Sequence, residues 1–138
     1  MEKEFLRWQE DYSVGVREID EQHKRLVALI NKFYNAFYDH KHKEVIDEIL
    51  SELTDYTRYH FSTEEKYFRQ FNYSDTLIHI KEHKDFIEKI KTFIAEKEIS
   101  ASTTTFKLMA FLQNWLINHI KSIRNVLLNM DLNKSVRL

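Results

Sequence analysis

The chain of 138 residues contains a single glycine, Gly15, and no proline. Average usage would give roughly ten glycines and seven prolines in this length. β-Sandwiches, βαβ nucleotide folds and collagen-like chains need those residues for turns and for backbone at positive φ. With both nearly absent, these architectures are excluded. A mostly helical chain with few, short connections remains, and the length suits one domain with one core. Zero cysteines removes disulfides, thiolate nucleophiles and every cysteine-based zinc or iron–sulfur site.

Apolar residues at helical spacing mark four stretches. The first follows Asp20, read as its N-cap, and carries Leu26, Val27, Ile30, Phe33, Tyr34 and Phe37. The second runs from about Lys43 to Gln70, with Ile46, Ile49, Leu50, Leu53, Tyr56 and Phe61 on its apolar side. Ser74 or Asp75 caps the third, whose apolar positions are Leu77, Ile80, Phe86, Ile87, Ile90, Phe93 and Ile94. The Ser/Thr cluster from Ser100 to Thr105 caps the fourth, with Leu108, Leu112, Trp115, Leu116, Ile120, Ile123 and Val126. Long helices with short gaps pack as antiparallel neighbours. The expected fold is all-α, an up-down-up-down four-helix bundle over residues 20–130. An ordered leader, 1–19, precedes it, held by Trp8, Val14, Val16 and Ile19, and a polar tail, 131–138, is expected to fray.

Twenty-one Lys and Arg against twenty-two Asp and Glu leave a net charge of −1, so no global field favours nucleic acid or an anionic membrane. No apolar run approaches the roughly twenty residues of a membrane span. The charged N-terminus has no secretory h-region, and a cytoplasmic location is expected.

The chemistry lies in the histidines. His40 and His42 fall in the connection between the first two helices and read as solvated surface. His23, His60, His79, His83 and His119 fall on apolar sides, spread over all four helices. A single inward histidine is ordinarily a hydrogen-bonded core residue. Five in one small bundle need partners for ten ring nitrogens, and each failure costs roughly 1–3 kcal/mol. One metal centre could satisfy them together. His79-x-x-x-His83 offers two imidazoles from one helix face, and His60-x-x-x-Glu64 offers an imidazole and a carboxylate one turn apart. A ferritin-like di-iron plan fails, since no Glu has a His three residues later. His79-Ile80-Lys81-Glu82-His83 matches the inverted zinc-peptidase motif, but Glu82 reads as solvated and three inward histidines would stay unexplained.

Four segments carry a resemblance: Val14-Gly15-Val16 with Ile19-Asp20-Glu21-Gln22-His23; His60-Phe61-Ser62-Thr63-Glu64-Glu65; His79 to His83; and Trp115-Leu116-Ile117-Asn118-His119-Ile120. In order and spacing the chain resembles the hemerythrin family over nearly its whole length, in particular the single-domain bacteriohemerythrins. The resemblance implies a pair of non-haem irons that bind O2 reversibly, for carriage, storage or sensing, and no enzymatic role. By position it implies His79, His83 and His119 on one iron, His23 and His60 on the other, and Glu64 bridging them. Phe61, Trp115 and Leu116 would wall the oxygen pocket, where a dry aromatic lining excludes water and protons.

One position departs from the family's pattern. A second bridging carboxylate, an Asp, is expected five residues after the last histidine, and here that residue is Arg124. Losing a carboxylate beside two cations, or adding an inward guanidinium, leaves charge that costs several kcal/mol in a low-dielectric core. Either the guanidinium turns to solvent, or the second metal is weakened and the iron count falls to one or none. The alternative function is a metal-poor or mono-metal bundle, the latter built on His79, His83 and His119, acting through self-association or partner binding. A third is reduction of peroxide or nitric oxide.

Overall fold

The computed structural model describes the backbone of residues 4–97 and 101–136, and side chains over 4–96 and 105–128. A short 3₁₀ turn, Glu10–Tyr12, precedes four helices: α1 (Arg17–Tyr38), α2 (Lys43–Gln70), α3 (Thr76–Lys97) and α4 (Ala101–Val136). Each helix packs on the next in sequence, and α4 returns to α1, closing a four-helix bundle. No helix among the described residues is long and apolar enough to cross a membrane.

With glycine spent elsewhere, α1 and α2 stop on non-glycine residues. His40 (φ 55°) and Asn72 (φ 54°) take the left-handed conformation just past the two helices. In each case two amides fold back on the last turn: His40 to Phe37 and Lys41 to Ala36, then Asn72 to Arg69 and Tyr73 to Phe68. This pairing satisfies carbonyls that a helix end leaves free. His40 and His42 are both exposed, as expected of connection residues.

The glycine itself, at φ +80°, turns the leader into α1. Asp20 does not cap that helix, which starts earlier, after Val16. Its carboxylate instead accepts from the Ser13 hydroxyl (2.5 Å) and the Val14 amide (2.8 Å), pinning the turn from inside the first helical turns. Upstream, Asn31 exchanges two hydrogen bonds with the backbone of Leu6. The described part of the leader therefore packs on the bundle, with Leu6, Val14 and Ile19 buried and Trp8 and Val16 partly so.

Two apolar clusters fill the bundle. The larger runs through Leu26, Ile30, Phe33, Leu50, Leu53, Ile90, Leu108 and Leu112; the smaller gathers Val14, Ile19, Phe68, Ile123, Val126 and Leu127. Leu77 corrects the expected face of α3: it is 81% exposed. It lies six residues before His83, about 120° around the helix, so it misses the stripe that Phe86, Ile87 and Ile90 continue. The Ser/Thr cluster mostly lies inside α4, which begins at Ala101, and Ser100 falls outside the described residues. The helix also runs past the expected end at 130 to Val136, because no glycine or proline interrupts it. Of the expected tail, residues 137 and 138 lie outside the described residues, as do residues 1–3 of the leader.

Candidate metal centre

His23 on α1, His60 and Glu64 on α2, and His119 on α4 bring one ligand atom each within 4.8 Å of one another. Glu64 is fully buried and organises the group. Its Oε2 lies 2.8 Å from His60 Nε2, 2.9 Å from His119 Nε2 and 3.4 Å from His23 Nε2. Its other oxygen, Oε1, lies 3.1 Å from His83 Nε2 on α3. One carboxylate thus faces imidazoles from all four helices.

The ring nitrogens turned away from Glu64 decide what the inward ones offer. His60 Nδ1 is 2.8 Å from Gln22 Oε1, and Gln22 Nε2 in turn donates to Thr63 Oγ1 at 3.1 Å. With Nδ1–H donated to Gln22, His60 presents the lone pair of Nε2 to the centre. His83 Nδ1 pairs with Glu65 Oε2 at 3.0 Å and leaves its Nε2 facing inward in the same way. An imidazole whose outer N–H is anchored to an oxygen acceptor is the form in which histidine serves metals. Among the described residues, His23 Nδ1, Glu64 Oε1 and His83 Nε2 are buried side-chain atoms without a hydrogen bond of good geometry, the last two despite their 3.1 Å approach. Such groups cost about 1–3 kcal/mol each when left unmade. The inward pair, Glu64 Oε1 and His83 Nε2, is what a cation between them would satisfy. The donor set is neutral imidazole and carboxylate, which suits iron, so these residues fit a metal.

Electrostatics favour the metal-ready protonation state. Burial pushes the Glu64 carboxyl up, but the charges of His119 and His60 and hydrogen bonds from His119 and His23 hold it well below the usual range. Burial pushes His119 down to about 4, against the pull of Glu64, and lowers His23 as well. His83 goes the other way: burial opposes its charge, yet Glu64 and Glu65 raise it. Near neutral pH, His23 and His119 are therefore neutral donors around an ionised carboxylate.

Five of the six expected ligands converge. His79 does not join them. Its Nδ1 is 3.5 Å from Glu82 and its Nε2 3.4 Å from the Tyr73 hydroxyl, with the ring against Phe68. Of the trio His79, His83 and His119, the last two face Glu64, while His79 lies among Tyr73, Glu82 and Phe68. Phe61, Trp115 and Leu116 all adjoin the cluster or its core. Phe61 stacks on His83 with ring centroids 3.8 Å apart, Trp115 stacks on His119 at 4.5 Å, and Leu116 is buried. Arg124 is exposed on α4. Sequence reasoning assigned no role to Gln22 or Glu65, although each adjoins a candidate ligand; that adjacency was the signal.

The sequence model of the hemerythrin HHE cation binding domain matches residues 14–130. The chain is 32% identical to a bacteriohemerythrin of Clostridium acetobutylicum over 118 residues, covering 82% of this chain and 91% of that protein. A bacteriohemerythrin of Pseudomonas aeruginosa is 34% identical over 117 residues, 85% of this chain and 75% of its own. A hemerythrin-like protein of Naegleria gruberi is 34% identical over 119 residues, 84% and 85%. A match that runs from the leader's turn through most of α4, over a bundle that buries histidines from every helix around one glutamate, makes the chain a member of the hemerythrin family.

Proposed function

We propose that the buried cluster holds non-haem iron and binds O2 reversibly, for carriage, storage or sensing in the cytoplasm, without enzymatic turnover. The observation that carries this reading is Glu64, whose two oxygens face different imidazoles: His23, His60 and His119 on one side and His83 on the other. An imidazole at each oxygen is what a carboxylate shared between two cations needs. His23 and His60 would hold one iron and His83 the other, joined there by His119 turning from Oε2 and by His79 leaving Tyr73 and Glu82. Bound ferrous iron would supply the electrons on which O2 binding draws. The chain's part is to orient and to exclude. Gln22 and Glu65 fix two imidazoles, and Phe61, Trp115 and Leu116 wall the inner face against water and proton donors.

Arg124 favours a weakened second position as the particular form of this site. The guanidinium is turned to solvent, but an arginine at this position still leaves α4 without the second carboxylate that the family pattern expects, and no other carboxylate joins the four-residue group among the described residues. A mono-metal or metal-poor bundle acting through partners is the second reading, and this same observation supports it. Arg124→Asp separates the two. Because the guanidinium already stands in solvent, the gain comes from the added carboxylate. A unit charge about 5 Å away is worth roughly 3 kcal/mol at an effective dielectric near 20, before desolvation. Half of that is about tenfold in affinity. Iron per chain should rise toward two in the variant, with a spectrum that changes under air and reverts under inert gas. A wild-type chain that already holds two irons and oxygenates equally well would remove the weakened second position. A chain that takes up no iron in either form would remove the metal function itself.

A further inference from the structure

A cavity of about 200 Å³ lies between α3 and α4, lined by Glu82, His83, Trp115, Asn118, His119 and Ser122. Two of these residues belong to the buried cluster. Exposure of the cluster is uneven in the same sense: His23, His60 and Glu64 are 0% exposed, while His83 and His119 keep 4% and 9%. The cluster's residual exposure lies on these two histidines, and the larger share is on His119, which lines this cavity and not the second opening.

A second opening, of about 300 Å³, lies between α2 and α3, with Arg58, Lys84 and Lys91 in its lining. It reaches His83 but no other member of the cluster. There Phe61 lies flat on the His83 ring, planes 4° apart, and Glu65 occupies Nδ1. The ring face and Nδ1 of His83 are both occupied on that side, whereas the α3/α4 cavity reaches two members of the cluster, with Trp115 stacked on one of them. The α3/α4 cavity has room for a few molecules the size of water, at about 30 Å³ each in the liquid. At its lip stands the Glu82 carboxylate, 63% exposed, and Asn118 and Ser122 are exposed residues of the same lining.

We infer that the α3/α4 cavity is the portal by which small ligands reach the centre, and that Glu82 makes it admit neutral diatomic and triatomic molecules more readily than anions. The anion arm of this inference rests on the iron site proposed above; the route itself does not. Both directions of ligand exchange pass the same lip, so a plug there slows entry and exit together and leaves affinity unchanged.

The route is tested first in the metal-free protein, by diethylpyrocarbonate labelling mapped on each histidine. His40 and His42 should react fastest, His83 and His119 more slowly, and His23 and His60 least. Ser122→Phe should protect His83 and His119. In the iron-loaded protein, with azide as probe, the same variant should lower the association and dissociation rates together by about tenfold, with Kd unchanged. Glu82→Gln should speed azide association about twofold at low salt, and high salt should erase the gain. Lys84→Phe, on the α2/α3 opening, should alter neither labelling nor rates. Labelling and rates untouched by Ser122→Phe, or slowed by Lys84→Phe instead, would overturn the portal. Azide association unmoved by Glu82→Gln would overturn the selectivity. Failure of the unaltered chain to retain iron would count against the metal site, while the labelling order would still decide the route.

Discussion

Gln22 shows how much a residue that touches no metal can decide. Its carbonyl oxygen anchors His60 Nδ1, and its amide is spent on Thr63, whose hydroxyl passes on to the Tyr59 carbonyl at 3.3 Å. Reversing the amide would draw the Thr63 hydroxyl away from the Tyr59 carbonyl, so the relay within α1 and α2 favours the Nδ1–H tautomer of His60. Gln22→Leu keeps the bulk and removes the acceptor. Outer partners of this kind are worth about 10–100-fold in metal affinity, and the unmet N–H costs about 1–3 kcal/mol of stability. We expect both losses, read by iron titration and by denaturant unfolding of the metal-free protein. A variant that lost stability but kept its iron affinity would show that Gln22 serves the fold alone. Glu65 plays the corresponding part for His83, but at 22% exposure its carboxylate is screened, and its removal should cost less.

At the scale of elements, the leader and α1 form one unit through Asp20. The carboxylate holds the Ser13 hydroxyl and the Val14 amide, which brings Val14 under the small cluster of Ile19, Phe68 and Ile123. Asp20→Ala should cost about 1–2 kcal/mol, as losing a cap does, and should expose the turn at residues 13–16 to proteolysis before the bundle itself unfolds. Gly15→Ala isolates the backbone contribution. A methyl at this position meets nothing within 4 Å, so crowding adds nothing to the left-handed strain of φ +80°. The expected cost is about 1–2 kcal/mol. A cost near zero would mean that the turn relaxes away from positive φ without harm to the leader's packing.

The whole molecule buries ionisable groups between two apolar clusters, and its acid stability should record that. For His119 the folded value is about 4 against 6.5 in an unfolded chain. Between these values the unfolded chain binds a proton that the folded one refuses. Stability is therefore full above pH 6.5 and falls as the pH drops toward 4. His23 acts in the same direction, and Glu64 adds a loss as the pH falls below 4.5, its ordinary value. His83 has the opposite sign: its raised value stabilises below 6.5, and that contribution fades as the pH rises through it. His119 alone amounts to about 3 kcal/mol over its interval, which His83 partly offsets. Denaturant midpoints of the metal-free protein at pH 7, 6 and 5 should decline steadily. A flat profile would mean that water reaches His119 more freely than its burial indicates.

Much of this was legible in the sequence, for local reasons. One glycine and no proline left helices as the answer, and apolar spacing placed α2 at Lys43–Gln70, where it is found. The same periodicity turned His23, His60, Glu64, His83 and His119 inward, because side chains separated by whole turns share a face whatever the tertiary structure does. What periodicity leaves open is how neighbouring helices are rotated and offset along their axes, and which rotamer each side chain takes. Those choices depend on contacts between elements distant in sequence. They set His79 against Tyr73 and Glu82, took Asp20 from a cap to a clasp, and gave Gln22 and Glu65 their imidazoles. They also left Arg124 in solvent. The residues able to bind a metal were written in the chain, but which of them meet, and from which side a ligand could approach, was settled only when four helices packed around one buried carboxylate.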